Sequence, residues 1–598
     1  VRLVAALVLL VACGRIDFDP LPGSGSVFTS FALPSGGDAH AIARASDGTL
    51  YASFAEARVV RSSDNGGSWT DCGVATIEPE NLMVDPATGA VYLGWDDAGK
   101  IEVSNDGCAT WTDLGAPEFR GGLAMLRGDL VAGGSTGVWR LHGSAWTRMM
   151  TPLDGNQVHN IVFDEMGVRG FVTAANGMVC SSDSETTWST NCALGLPGPG
   201  IDFVVPDPVR STHLFAQSSG ALFYSVDTAT TWTATTSGGS ALAIDPSAPD
   251  FVVFGSYDDG IIESTDGMTF DTTDRRTSDM YTTLTNELLF GPTSDVLAAT
   301  NRGIFYAPDH SLQWVERDGT LSAWSIDSIA IDGLGELVLA TPAGVLVSGD
   351  GGASWNEYSA GLSPDSRTTS LAQPAAAPGA LLTATMAQLT RSDDHGHSYY
   401  TLWTAPDPDG KTCNSVREAG DHLIVATAGG VATSDSMWST FTHHDVGSPS
   451  QYVNDVLAID TAGTQLVAGT SQGVWYSSDG GATFAMVGLP NENVVRLAVL
   501  DSGVLLAGAR DGAFIAPAPG GPWTLTTLSA TYVTDLLVAQ GVVVAASSTG
   551  VWISHDDAAT WALVPGLETR SPSALALDAS RRLYVGTHGY GLFSTMLQ

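Results

Sequence analysis

Lysine is almost missing from this sequence: Lys100 and Lys411 are the only two among 598 residues. Lysine and arginine together number 25 against 64 aspartates and glutamates, a formal net charge of −39. A field of that sign repels nucleic-acid phosphates, which argues against nucleic acid as a partner. Cysteine is scarce too, six in all, and no spacing among them matches a zinc site. Past residue 20 no long stretch carries the apolar spacing of an amphipathic helix. Glycine is plentiful, with 68 residues, and 44% of the chain is hydrophobic. That composition suits short strands joined by tight turns around a large core. The length admits two or more domains. The acidity keeps a large β protein soluble. No cofactor is implied, calcium on some of the carboxylates being the one sharper reading.

A pattern S-x-D-x-G-x-x-W recurs. It is complete in Ser62, Asp64, Gly66 and Trp69, and in Ser348, Asp350, Gly352 and Trp355. Ser392, Asp394, Gly396 and Tyr399 repeat it with another aromatic, as do Ser477, Asp479, Gly481 and Phe484. Copies without the Gly are Ser104/Asp106/Trp111, Ser181/Asp183/Trp188, Ser225/Asp227/Trp232 and Ser554/Asp556/Trp561. Decayed copies end at Trp146, Phe270, Trp314, Trp438 and Trp523. The aromatic returns every ~40 residues, the length of a four-stranded propeller blade. A second turn, such as Thr341-Pro342-Ala343-Gly344 or Thr470-Ser471-Gln472-Gly473, precedes each box between two apolar strands. One unit therefore reads strand a, strand b, this turn, strand c, the Ser-x-Asp turn, strand d.

The motif resembles the Asp-box, or bacterial neuraminidase repeat, shared by sialidases, sortilin-type receptors, tandem-propeller xyloglucanases and a photosystem assembly factor. The resemblance implies an all-β fold of closed propellers and says little of function, since those relatives do unrelated things. In such a box Asp and Ser side chains bond turn N–H groups, and the aromatic packs between blades. These Asp residues are expected to be structural.

Thirteen aromatic box ends and a fourteenth unit around Leu583 to Ser594 predict about 14 four-stranded blades, best divided into two seven-bladed rings. The simplest closure gives each ring its own clasp. The strand at Val27 to Ser30 would complete the seventh blade, and the strand around Trp314 the fourteenth; a clasp tying both rings together, or unequal rings, is the alternative. The expected domains are 27–309 and 310–598. Residues 1–13, VRLVAALVLLVAC, resemble a lipoprotein signal ending at a lipidated Cys13, with 14–26 as a tether. This implies an exported chain held at a bacterial outer membrane or cell surface. Export fits two disulfides, Cys72 with Cys108 and Cys180 with Cys192, leaving Cys413 over.

Strands alternate in direction, so the Ser-x-Asp turns share a face with the a–b turns, and the b–c turns and d–a loops share the other. Ligands are expected on the second face, near the axis. Candidates in b–c turns are Trp95, Asp96, Asp97, Tyr257, Asp258, Asp259, Arg510, His588 and Tyr590. In d–a loops they are Arg120, Arg275, Trp324, Arg367, His443 and Tyr452. Aromatic and acidic side chains around a mouth suit a sugar. Adjacent His443 and His444 point apart on a strand, which disfavours a metal site.

The resemblance to sialidases implies an Arg-Ile-Pro-like motif, but Arg15-Ile16-Asp17 lies in the tether. Xyloglucanases of the tandem-propeller type carry a Gly-rich run and an Arg-Thr-Asp-like stretch in the first blade, where this chain has Tyr51-Ala52-Ser53-Phe54-Ala55-Glu56. The leading expectation is a non-catalytic binding or scaffold protein for a polysaccharide or a protein. The alternative is a glycoside hydrolase using a carboxylate pair, with Asp96, Asp97, Asp258 and Asp259 as weak candidates.

Overall fold

The computed structural model describes residues 28–597 apart from 34–35, 55–57, 73–78, 96–98, 165–168, 184–186, 199, 257–259, 271–284, 319–321, 359, 363–367, 375–376, 378, 386–387, 405–412 and 448–450. Cys13 and the tether lie outside them. Fourteen antiparallel sheets follow one another along the chain. Seven of them, spanning 39–71, 81–113, 119–149, 158–189, 201–237, 239–264 and 285–316, are blades 1–7. Seven more, spanning 328–358, 368–404, 413–444, 453–488, 494–529, 533–564 and 572–596, are blades 8–14. All have four described strands except blade 6, which has three.

Most b strands, such as Leu50–Phe54 or Leu337–Thr341, are buried on both sides, because a blade interior is covered by a neighbour on either face. Outer strands such as Thr112–Asp113 are exposed. Two contacts close the wheels. The first strand of blade 7 packs on that of blade 1, where Asn286 Nδ2 donates to Ala39 O at 2.8 Å. The first strand of blade 8 packs on blade 14, where Ser573 Oγ donates to Ile326 O at 2.7 Å.

These two bonds belong to a repeated device that sequence reading missed. In twelve of the fourteen blades the first strand shifts register at its second residue. A bulge re-aims the extra side chain. At that place Thr369 donates to Cys413 O (2.6 Å), Asn414 to Val453 O (2.7 Å), Asn454 to Val494 O (2.8 Å) and Thr534 to Pro572 O (2.6 Å). Each is the first residue of the next blade, so a belt of hydrogen bonds runs from blade to blade near the axis.

The closure differs from the expected pair of clasps. Thr29–Ser30 pairs with Gly591–Met596, in register Thr29↔Ser594, and completes blade 14. Val315–Glu316 pairs with Gly303–Ala307 and stays in blade 7. The reason is local. The short turn after Ala307 returns the chain onto its own sheet at little entropic cost, whereas blade 14 ends its sequence-local part with an open edge. A cut at 309/310 therefore falls inside blade 7, and the N-terminal strand belongs to the second wheel. Two connections cross between wheels and meet at Gly36–Gly37, which pairs in parallel with Ser322–Ala323. Gly36 sits at φ +117°, and a Cβ there would lie 2.3 Å from Arg302 O, so only glycine fits this crossing.

Cys72 is bonded to Cys108, linking blades 1 and 2, and Cys180 to Cys192. Cys413 is buried and free, its thiol pushed up to about 12 by burial.

Candidate functional site

The Ser-x-Asp turns are self-contained hydrogen-bond units. Ser62 Oγ donates to Asp64 Oδ1 at 2.7 Å and accepts Gly66 N–H at 2.9 Å. Asp64 also accepts Ser68 N–H at 2.8 Å and Ser68 Oγ at 2.6 Å. The serine-to-aspartate bond recurs at Asp106, Asp183, Asp227, Asp266, Asp350, Asp394, Asp479 and Asp556. Donation from Ser68, then Ser62, holds the Asp64 carboxyl down at about 2. A carboxylate so held neither gives nor takes a proton near neutrality. The aromatics tie blades together: Trp69 Nε1 donates to Arg317 O (2.7 Å), Trp232 Nε1 to Cys192 O (2.8 Å) and Trp561 Nε1 to Thr526 Oγ1 (3.1 Å). Trp111, Trp188, Trp355 and Phe484 pack against neighbouring cores, and Tyr399 is buried within one.

The opposite face holds the ligand candidates, and the wheels touch each other through it. Arg58, at the b–c turn of blade 1, donates to Gly589 O of blade 14 at 3.1 Å and lies over the Tyr590 ring at 5.8 Å. Asn301 and Arg302, in the b–c turn of blade 7, reach blade 8: Asn301 Nδ2 donates to Pro342 O at 3.2 Å and Arg302 pairs with Glu357 at 2.8 Å. The b–c turns of blades 1 and 7 thus rest on those of blades 14 and 8. One edge of each loop face is joined to the other.

The sequence candidates divide around this joint. Tyr590 has two guanidiniums over its ring, Arg58 and Arg570, the second 4.8 Å from its ring centroid. His588 faces Asp327 at 3.6 Å. Trp324 is 2% exposed, in a core shared by blades 8 and 14, so it is a packing residue and not a mouth aromatic. The parallel crossing at Gly36–Gly37 draws it inward. Trp95 packs against the core of blades 1 and 2. Arg120 occupies the bulge position of blade 3. His443 Nε2 lies 3.4 Å from Thr427 Oγ1 while His444 Nε2 lies 3.1 Å from Thr433 Oγ1, so the two imidazoles point apart. Tyr452 is 43% exposed, its hydroxyl donating to Asn414 Oδ1 at 3.0 Å, and Arg510 is open to solvent beside Asp511. Asp96, Asp97, Tyr257, Asp258, Asp259, Arg275 and Arg367 lie outside the described residues.

Three carboxylates on first strands, Asp455, Asp535 and Glu287, have internal partners. Asp455 accepts Arg417 Nε at 3.0 Å and Nη2 at 2.6 Å, Ser415 Oγ at 3.0 Å and Leu497 N–H at 2.9 Å. Arg496 pairs with Asp535 at 3.1 Å in the next blades. In the first wheel Glu287 accepts Ile42 N–H at 2.7 Å across the closing seam, and desolvation pushes its carboxyl up to about 7. Each of these groups bridges neighbouring blades.

No family model and no curated protein sequence matches this chain. Among solved structures it resembles a GH74 enzyme of Niastella koreensis, 18% identical with TM-score 0.54, over 95% of this chain and 99% of that one. It also resembles the GH74 xyloglucanase of Xanthomonas campestris, 17% identical with TM-score 0.56, over 96% of this chain and 100% of the other. An ancestral GH74 enzyme aligns over 96% and 99%, at 13% identity and TM-score 0.55. At such identities the likeness is one of fold, and it runs the whole length of both wheels.

Proposed function

We propose that this chain is a non-catalytic binding protein that holds a neutral polysaccharide across the loop faces of its two wheels. The observation that carries this reading is the joint through Arg58, Asn301 and Arg302, which links an edge of one loop face to an edge of the other. Asp455 and Asp535 are tied into ion pairs between blades, which supports a binding role for this part of the second wheel. A net charge of −39 repels anionic glycans, so an uncharged chain is the compatible ligand. Tyr452 offers an exposed ring at the second mouth for stacking on a sugar. Cys13, read as a lipidation site, would hold the protein at the surface of a bacterial cell.

Glycoside hydrolysis is the second reading, favoured by the whole-length likeness to GH74 enzymes. It requires two facing carboxylates roughly 5–10 Å apart, for which Asp96, Asp97, Asp258 and Asp259 are the candidates. A panel of soluble xyloglucan, mixed-linkage glucan and galactomannan separates the readings, scored by calorimetry for binding and for released reducing ends. The expected result is binding without release, weakened about tenfold in Tyr452→Ala. Sugar release that vanishes in Asp96→Asn or Asp258→Asn would make the protein a hydrolase. No binding to any glycan would redirect the search to a protein ligand.

A further inference from the structure

On the other face, the a–b turn of blade 8 closes through Asp332 N–H donating to Glu336 O at 3.0 Å. The Asp332 side chain is 1% exposed and accepts the N–H groups of Leu334 (2.9 Å) and Glu336 (2.8 Å). His395, from the Ser-x-Asp turn of blade 9, places Nδ1 2.5 Å from Asp332 Oδ2. Glu336 Oε2 is shut off from solvent and accepts no hydrogen bond. One donor atom from each of the three side chains lies within 4.8 Å of the others.

The molecule contains its own comparison. At the matching place between blades 6 and 7, Asp245 meets His310 at 2.6 Å. There the turn closes on Phe251, whose ring stacks on His310 at 3.9 Å. In blade 4 the closing residue is Arg169, which pairs with the turn aspartate Asp164 at 3.1 Å. An apolar ring takes that place beside Asp245 and a cation beside Asp164, while Ala90 takes it beside Asp85. Blade 8 instead sets a second carboxylate, with an unpartnered buried oxygen, beside a desolvated aspartate. Among the described residues, the His395 imidazole is the group that faces both carboxylates.

We propose that Asp332, Glu336 and His395 bind a zinc-class divalent cation that ties blade 8 to blade 9. One nitrogen and two carboxylate oxygens suit a borderline metal, whereas calcium favours an all-oxygen shell. His395 is 29% exposed, so solvent reaches the site and water can complete the coordination.

The test uses the full chain, stripped with a chelator and titrated with zinc chloride by calorimetry and thermal melting. One zinc per chain is expected, with Tm raised about 5 °C at a hundredfold excess over Kd. Glu336→Gln keeps the side-chain volume and the Asp332–His395 bond, so its metal-free Tm should match that of the stripped parent while the zinc response disappears. His310→Ala should leave zinc stoichiometry unchanged. The proposal falls if the parent takes up no zinc, if Glu336→Gln binds it equally well, or if calcium alone shifts Tm.

Discussion

A chain that begins at Asp38 should melt its second wheel at a temperature lower by about 10 °C, with the first wheel shifted far less. The deletion removes the fourth strand of blade 14, Thr29–Ser30, and with it three apolar anchors. Phe28 is buried in the core of blades 13 and 14. Phe31 packs beside Tyr584 at 5.9 Å between ring centroids, and Leu33 is buried in the core of blades 8 and 14. Burying side chains of this size stabilises by ~1.5–3 kcal/mol each. The strand Gly591–Met596 would also become a bare edge, so concentration-dependent association should accompany the lower Tm. Scanning calorimetry at two protein concentrations reads both effects. Equal losses in the two wheels would mean that the N-terminal strand does not act as the clasp of the second.

Asp455→Ala should destabilise the second wheel by about 3–5 kcal/mol, the largest effect expected of a single substitution. Asp455 is fully buried and its oxygens accept from Arg417, Ser415, Leu497 and Val456. Desolvation works against its charge, and Arg417 and Arg496 outweigh it, holding the carboxyl below the ordinary aspartate value. Truncation leaves two backbone N–H groups without their carboxylate acceptor and the Arg417 guanidinium with Leu497 O alone, at 3.2 Å, so the cost is that of orphaned partners and not of one contact. Removing Arg417 as well, in Asp455→Leu with Arg417→Met, should recover a large part of the loss, since an apolar pair of similar volume is often tolerated. Urea unfolding of the two variants measures the difference. An Asp455→Ala loss below ~1 kcal/mol would place this carboxylate in a wetter, less committed setting.

Much of the fold was legible because its signal is local. The Ser-x-Asp turn fits within eight residues, as at Ser62 to Trp69, and repeats often enough to count blades. Val27 to Ser30 was legible as a spare fourth strand, but the blade it completes was not, because its partner lies at the far end of the sequence. Nothing in Val315–Glu316 separates a strand that travels from one that folds back. The belt at the axis left a trace that reads as ordinary loop polarity: an Asn, Thr or Ser just inside several first strands, at Asn286, Thr369, Asn414, Asn454, Thr534 and Ser573. Its meaning depends on the bulge, which only backbone coordinates reveal. Trp324 looked like a mouth aromatic because it follows a connection between repeats, and the Gly36 crossing turns it inward. The Asp332, Glu336 and His395 group joins residues 63 positions apart through blade adjacency, and no spacing rule reaches that far.

The central claim is that two wheels present one shared binding face. Hydrogen exchange of the full chain, with and without the tightest neutral glycan of the panel, tests it most directly. The account predicts added protection in b–c turns and d–a loops of both wheels, including the segment around Tyr452, with the Ser-x-Asp turns unchanged. Protection confined to one wheel, or centred on the Ser-x-Asp face, would contradict it.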